Sequence, residues 1–137
     1  MKFLVILVLL VIIVGIGILG YRMYDRKKYD YTISEDDLKN MKATVYEDIN
    51  YTGKFVPFPV GKYSNEEIIN YENRLFENNM ASSIQIPQYL EVILYENDNL
   101  TGSSQKFVDS VPNLVDHGWN DRMTSLEIKL KDNVKVI

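Results

Sequence analysis

The chain of 137 residues contains no cysteine and a single histidine, His117. Without cysteine it cannot form a disulfide, a thiolate zinc site or a cysteine nucleophile. With one histidine it cannot assemble a histidine-based metal site or a catalytic triad. The formal net charge of −4 argues against a nucleic-acid partner, because such surfaces are normally basic. Since no nucleophile, base and orienting group occur together, the sequence predicts a protein that is not an enzyme.

Charge is absent from one long stretch near the N-terminus. Residues 3–20 contain only Phe, Leu, Val, Ile and Gly, and as a helix they would span about 27 Å, close to the roughly 30 Å hydrocarbon thickness of a bilayer. Tyr21 and Tyr24 follow at the position of interfacial aromatic residues. We predict that residues 1–21 form a single transmembrane α-helix, which anchors the protein to a membrane. A cleaved signal peptide is the alternative, although no Ala-x-Ala-like site follows the run.

Basic residues are concentrated on the C-terminal side of this apolar run. Lys2 and the terminal amine precede the run, and four basic residues follow it: Arg22, Arg26, Lys27 and Lys28. Positive charge is retained on the cytoplasmic side of a membrane. We therefore expect the rest of a single-pass protein to face the cytoplasm, or the interior of the particle if the membrane is a viral envelope.

Residues 22–42 are polar, and we assign them as a connector between the anchor and the rest of the chain. Ser34, followed by Glu35, Asp36 and Asp37, predicts a short helix with Ser34 as its N-cap. We interpret the connector as a spacer that lifts the following domain off the membrane, and a docking segment is the alternative.

From Ala43 onward, short runs of large apolar or β-branched residues alternate with turn residues. Residues 126–130, with the sequence Leu-Glu-Ile-Lys-Leu, are predicted to face three side chains inward and two outward. Many short strands with frequent turns indicate an antiparallel β-sandwich. Two segments lie outside this pattern. Residues 65–76 predict a short helix within a longer loop, and residues 132–137 form a tail that either adds an edge strand or trails.

Two strings of residues each occur twice. Residues 46–53 read Tyr-Glu-Asp-Ile-Asn-Tyr-Thr-Gly and residues 95–102 read Tyr-Glu-Asn-Asp-Asn-Leu-Thr-Gly, so five of eight positions are identical. Residues 78–83 read Asn-Asn-Met-Ala-Ser-Ser, and residues 120–125 read Asn-Asp-Arg-Met-Thr-Ser. Such duplication predicts a domain built from two copies of one supersecondary unit.

The longer string resembles the aromatic-and-glycine signature of the βγ-crystallin Greek key. In the first copy, Tyr46, Tyr51 and Gly53 supply two aromatic residues and a glycine at the family's spacing. The glycine suits a turn that needs a positive φ angle. In the second copy Leu100 replaces the second aromatic residue, so we expect that hairpin to be less firmly pinned.

The shorter string resembles the calcium-binding motif of the same family, Asn/Asp-Asn/Asp-x-x-Ser/Thr-Ser, and both copies satisfy it. Together the two strings imply an all-β fold behind the transmembrane helix. The resemblance predicts a two-Greek-key βγ-crystallin-like β-sandwich over residues 43–131, with its keys at about 43–88 and 89–131.

The resemblance also implies a set of calcium ligands, arranged as two clamps that each draw from both keys. They are the side-chain oxygens of Asn79 and Asp121, the hydroxyls of Ser82 and Thr124, and the main-chain carbonyls of Glu47, Met80, Glu96 and Arg122. Oxygen ligands of these kinds suit Ca²⁺. Because Asp121 is the one charged side chain among these direct side-chain ligands, we expect weak sites, with Kd on the order of 10⁻⁵ to 10⁻³ M. Arg122 also places a cation beside one clamp.

Two functions are consistent with this pattern. The first is a membrane-anchored, calcium-binding structural module. The alternative is a non-catalytic interaction protein that links the membrane to a protein partner, such as a viral capsid or envelope component, with calcium incidental. In the alternative, the Ser and Asn residues of the motifs cap turns and satisfy buried backbone groups.

Overall fold

The computed structural model describes residues 31–71 and 80–137. The predicted anchor in residues 1–21 lies outside these ranges and stays a prediction. Within the two described ranges, no helix combines the length and the apolar composition that crossing a membrane requires.

The described residues form nine β-strands and two short α-helices. In chain order they are β1 (Tyr31–Ile33), α1 (Glu35–Asn40), β2 (Ala43–Asp48), β3 (Thr52–Phe58), β4 (Gly61–Tyr63), α2 (Asn65–Asn70), β5 (Ser83–Gln85), β6 (Leu90–Asn97), β7 (Thr101–Phe107), β8 (Ser125–Leu130) and β9 (Val134–Val136). Single turns of 3-10 helix occupy Ile49–Tyr51 and Leu114–His117. The prediction of a predominantly β domain is confirmed.

The strands are arranged in three sheets. The first large sheet has the order β3-β2-β5 and the second has the order β4-β8-β6-β7. Neighbouring strands in both are antiparallel. A small third sheet joins β1 to β9, so the residues after 131 include a strand that pairs with the segment assigned to the connector.

The chain segment after the first hairpin of each half crosses over and pairs with the sheet of the other half. The first half is β2 to β5, and the second is β6 to β8. β4 belongs to the first half but pairs with β8, where Tyr63 lies opposite Leu126. In return, Val111 of the second half forms an isolated bridge with Ile84 in β5. The two backbone hydrogen bonds of that bridge measure 2.9 and 2.8 Å. Two interlocked Greek keys result, and neither sheet is complete without the other key.

One hydrophobic core lies between the two large sheets. In β8, Leu126 and Ile128 are buried in it, whereas Glu127 and Lys129 are more exposed, as the alternating sequence predicts. Each large side chain buried in this way contributes about 1.5–3 kcal/mol of transfer free energy. Trp119, which precedes the second six-residue string, also belongs to this core.

Both copies of the eight-residue string form the same hairpin, between β2 and β3 and between β6 and β7. Gly53 and Gly102 have φ angles of +78° and +79°, which confirms the conformation predicted for them. Tyr51 and Leu100 also lie in the left-handed region, with φ of +61° and +59°, and this was not predicted. In the first hairpin, the ring of Tyr46 packs edge-on against that of Tyr51, with centroids 5.8 Å apart.

The two α-helices begin with reciprocal capping boxes. Ser34 Oγ accepts a hydrogen bond from the Asp37 N–H at 3.1 Å, and the Asp37 carboxylate accepts from Ser34 in return, so the predicted cap of α1 is confirmed. Ser64 and Glu67 form the same arrangement at α2. Each box satisfies backbone N–H groups that a helix start otherwise leaves unpaired.

Candidate metal centre

Each copy of the six-residue string ends at the start of the last strand of its key. Its final residue, Ser83 or Ser125, is the first residue of β5 or β8. Residues 78 and 79 are outside the described residues, so the predicted ligand Asn79 has no described position. The other seven predicted ligand residues all lie in the described part of the chain.

The final serine of each string bonds to the hairpin of its own key. Ser125 Oγ donates to the Asn97 carbonyl at 2.6 Å and accepts from the Leu100 N–H at 2.9 Å. Ser83 makes the equivalent two bonds in the first key, at 2.6 and 3.0 Å. These bonds fix the position of each motif copy relative to its hairpin, and they hold the hairpin of Leu100 as closely as the aromatic one.

The fifth residue of each string approaches the same hairpin. The Ser82 N–H donates to the Tyr46 carbonyl at 2.9 Å, one residue before Glu47. The equivalent bond from Thr124 is 3.0 Å long and ends one residue before Glu96. The structure therefore brings Ser82 beside Glu47 and Thr124 beside Glu96.

Asp121 connects the second motif copy to the first. Its N–H donates to the carbonyl of Ala81 at 3.3 Å, and Ala81 lies between Met80 and Ser82. Asp121 adopts a left-handed conformation, with φ of +53°, and its exposed carboxylate accepts from the Asn120 side-chain amide at 2.6 Å. Predicted ligand residues from both keys are thus neighbours at this junction.

The predicted ligands form two groups, one at each hairpin. The group at the first hairpin, here called the first clamp, contains Glu47, Met80, Ser82 and Asp121. The group at the second hairpin, here called the second clamp, contains Glu96, Arg122 and Thr124.

The donor chemistry of these clamps fits calcium better than zinc. Within the described ranges, no three acidic, histidine or cysteine side chains converge to form a metal site. The clamps offer instead carbonyl and hydroxyl oxygens with one ligand carboxylate. Ca²⁺ accepts six to eight such oxygens in a tolerant geometry, whereas zinc is bound mainly by thiolate and imidazole groups in structural sites.

The Arg122 side chain is held at the second clamp by three neighbours. Nη2 donates to Glu96 Oε1 at 3.0 Å, Nη1 donates to the Gly118 carbonyl at 2.8 Å, and the guanidinium carbon lies 5.1 Å from the centre of the Trp119 ring. Hydrogen bonds from the Ser103 and Arg122 side chains, together with the positive charge of Arg122, lower the pKa of the Glu96 carboxyl.

Comparisons with known proteins identify the fold. Development-specific protein S of Myxococcus xanthus is 31% identical over 87 residues, which cover 64% of this chain. The match spans about half of that relative, 47% of its length. The crystal structure of the N-terminal domain of protein S has a TM-score of 0.59 and 27% identity, and the match covers 65% of this chain and 96% of that domain. No family model matches the chain.

Two further solved structures are βγ-crystallin domains by name. The domain from Clostridium beijerinckii has 34% identity and a TM-score of 0.57, with coverage of 64% of this chain and 95% of that domain. The domain from Flavobacterium johnsoniae has 32% identity and a TM-score of 0.59, with coverage of 66% and 96%. This chain contains a βγ-crystallin domain.

Several features of the βγ-crystallin domain were not predicted from the sequence. The repeated strings do not reveal the hydrogen bond between the Ser103 side chain and the Glu96 carboxylate. That bond depends on how the hairpin between β6 and β7 folds back. The contact between Trp119 and Arg122 has no sequence signal beyond a spacing of three residues. The left-handed conformation of Asp121 is also unexpected, although Asp tolerates it better than most residues.

Proposed function

We propose that the protein is a membrane-anchored structural protein whose βγ-crystallin domain binds calcium at the two clamps. The observation that carries the proposal is the bond from the Asp121 N–H to the Ala81 carbonyl, which joins the two motif copies. This contact supports the proposal because it brings Asp121, the predicted ligand residue with a charged side chain, next to the first motif copy. A purely structural role of the motifs, in which they only cap turns, explains the bonds of Ser83 and Ser125 to the hairpins. It does not explain why a carboxylate, that of Asp121, lies at the junction between the keys.

Calcium bound at the clamps would stabilise the folded domain. The clamp residues come together only when both keys are folded, so the ion binds the native state and not the unfolded chain. Binding of this kind adds RT ln(1 + [Ca²⁺]/Kd), about 2.7 kcal/mol at a hundredfold excess over Kd. With mostly neutral ligands we expect a Kd on the order of 10⁻⁵ to 10⁻³ M, so a hundredfold excess corresponds to about 1 to 100 mM calcium.

Thermal unfolding of the full-length protein tests the calcium function. We expect Tm to rise as CaCl₂ reaches millimolar concentration, and MgCl₂ at equal ionic strength to raise it less, because Mg²⁺ requires near-ideal octahedral geometry. The double variant Ser82→Ala/Thr124→Ala lacks both hydroxyl ligands and should lose the shift. Ser104→Ala, an exposed serine of β7, should keep it. An unchanged Tm of the wild-type protein in calcium would contradict the proposal.

The membrane anchor is part of the proposal and rests on the sequence alone. The apolar run of residues 3–20 supports a single span, and the basic residues after it support a domain on the cytoplasmic side, or inside a virion. Sealed vesicles whose cytoplasmic face lies inside test this arrangement. Protease added outside should spare the domain, because the vesicle membrane shields it. Asn50 and Asn99 each begin an Asn-x-Thr glycosylation sequon, and a glycan on either would contradict this orientation.

Exposed apolar side chains on the first key favour the alternative of a protein partner, such as a capsid or envelope component. Ile49 and Phe55 are each 46% exposed; Ile49 lies in the turn of the first hairpin, and the Phe55 ring lies 5.7 Å from that of Tyr46. Size-exclusion chromatography of the protein from its native membrane, in mild detergent, tests this alternative. Elution as a free protein would argue against it.

A further inference from the structure

We infer that the two clamps bind calcium with unequal affinity, and that the Arg122 guanidinium makes the second clamp the weaker one. The inference rests on the proposed calcium function and adds the order in which the sites fill. It follows from a difference in charge between two clamps that are otherwise built by equivalent backbone contacts.

The positive charge of Arg122 is fixed at the second clamp. The Glu96 carboxylate and the Gly118 carbonyl accept its hydrogen bonds, and the Trp119 ring lies against it. Trp119 is 4% exposed, so the surface beneath the guanidinium belongs to the core. The ion pair, the carbonyl and the aromatic face together orient the guanidinium toward Glu96, so its positive charge lies beside the second clamp.

The corresponding position in the first clamp carries no charge. Met80 occupies it, and its side chain packs against the hydrophobic core. The Glu47 carboxylate, which corresponds to that of Glu96, accepts a backbone N–H from Lys54 at 3.2 Å. Its negative charge is therefore not cancelled by a guanidinium from the motif, in contrast to that of Glu96.

The local charges of the two clamps differ accordingly. Among the described residues, the first clamp contains the carboxylates of Glu47 and Asp121, and none of its members is a cation. The second contains one carboxylate, Glu96, and one guanidinium, Arg122, which form an ion pair. Calcium affinity follows the charge of the site. One fixed unit charge within a few ångströms of a divalent ion, at a partly exposed site, changes its affinity by about tenfold, and salt screens the effect.

Isothermal titration calorimetry with CaCl₂ on the full-length protein tests the inference at low ionic strength. We expect two binding events whose Kd values differ about tenfold or more. Thr124→Ala should remove the weaker event and Ser82→Ala the tighter one. Arg122→Met, which copies the residue of the first clamp, should strengthen the weaker event about tenfold and leave the tighter event unchanged.

Two controls separate the effect of Arg122 from changes in net charge and in folding. Lys39→Met removes a positive charge from α1, which supplies no clamp residue, and it should change neither Kd. In the wild-type protein, raising the salt concentration from about 20 mM to about 500 mM should narrow the ratio of the two Kd values, because the charge difference is screened. The second measurement needs no variant, so a poorly folded Arg122→Met protein leaves the inference testable.

The possible results distinguish failure of the inference from failure of the proposed function. No calcium heat in the wild-type protein or in Arg122→Met would contradict the proposed function itself. Two equal sites in the wild-type protein, a weaker event unaffected by Arg122→Met, or an equal gain from Lys39→Met would overturn the inference and leave calcium binding intact. A Kd ratio that does not respond to salt would also overturn it.

Discussion

Single residues in the two hairpins hold backbone conformations that few side chains tolerate. Gly53 has a φ angle of +78°, and a Cβ atom added there would lie 2.5 Å from Asp48 Oδ2. Gly118 has a φ angle of +70°, but an added Cβ would meet no atom within 4 Å. The pair therefore separates the cost of the backbone conformation from the cost of crowding.

We expect Gly53→Ala to destabilise the domain by about 2–3 kcal/mol, because the left-handed conformation costs about 1–2 kcal/mol for a residue with a Cβ atom and the Asp48 side chain must also move. Gly118→Ala, the matched control, should cost only the conformational part, about 1–2 kcal/mol. Urea unfolding of the two variants and the wild-type protein measures the difference. Equal stability of Gly53→Ala and wild type would contradict the hairpin geometry.

Ser125 tests the bonds that hold a motif copy against its hairpin. Its side chain is fully buried and bonds to both the Asn97 carbonyl and the Leu100 N–H. Ser125→Ala leaves both groups without that partner, and we expect a loss of about 2–3 kcal/mol in the free energy of unfolding. Ser104→Ala, at an exposed position, should change it by less than about 0.5 kcal/mol. A loss for Ser125→Ala as small as that of the control would refute the structural role.

At the scale of helices and strands, local signals determine where elements begin. The capping box of α2 illustrates this, since the Glu67 carboxylate accepts from the Ser64 N–H at 2.7 Å and from its hydroxyl at 2.9 Å. Both bonds lower the pKa of the Glu67 carboxyl in the folded protein, and the bond from the backbone N–H has the larger effect.

The lowered pKa gives the cap a predictable pH dependence. A carboxyl whose pKa is lower in the folded state stabilises that state above its ordinary pKa, about 4.3, and loses this contribution as the pH falls through the folded value. We expect wild type to be slightly more stable than Glu67→Gln at pH 7, and the difference to shrink below about pH 4. Glu66→Gln, in the same helical turn but outside the box, is the matched control. A difference that does not change with pH would contradict the cap.

The sequence predicted the elements better than their long-range pairing. Both hairpins, the cap at Ser34 and the alternation in β8 could be predicted because each depends on residues close together in the chain. The bridge between Ile84 and Val111 and the pairing of β1 with β9 could not, since such contacts join distant segments and leave no local pattern. Leu100 shows the same limit: its hairpin was expected to be loosely pinned, but the distant Ser125 holds it.

The candidate site was predicted as a list of residues and not as an arrangement. The repeated motif named Ser82, Thr124 and Asp121 because their spacing repeats. It could not show that Asp121 contacts the first motif copy, or that the Arg122 side chain turns toward Glu96. Both contacts depend on how the two keys interlock, which is a property of the assembled sandwich.

At the scale of the whole molecule, the two keys depend on each other. β4 completes the sheet of the second key, and Val111 extends the sheet of the first. The clamps lie where the motif copies of these interlocked keys meet, so an ion bound there would connect the two halves of the sandwich. Calcium is therefore expected to act on the stability of the entire domain and not on a single loop.

Crystals of the protein grown in millimolar calcium test the central claim most directly, through anomalous difference density collected at a wavelength where calcium scatters anomalously. We expect two peaks, one beside Ser82 and Asp121 and a weaker one beside Thr124 and Glu96, each surrounded by oxygen atoms at about 2.3–2.6 Å. Density at neither clamp, in crystals where these residues are ordered and free of lattice contacts, would contradict the claim that the βγ-crystallin domain binds calcium.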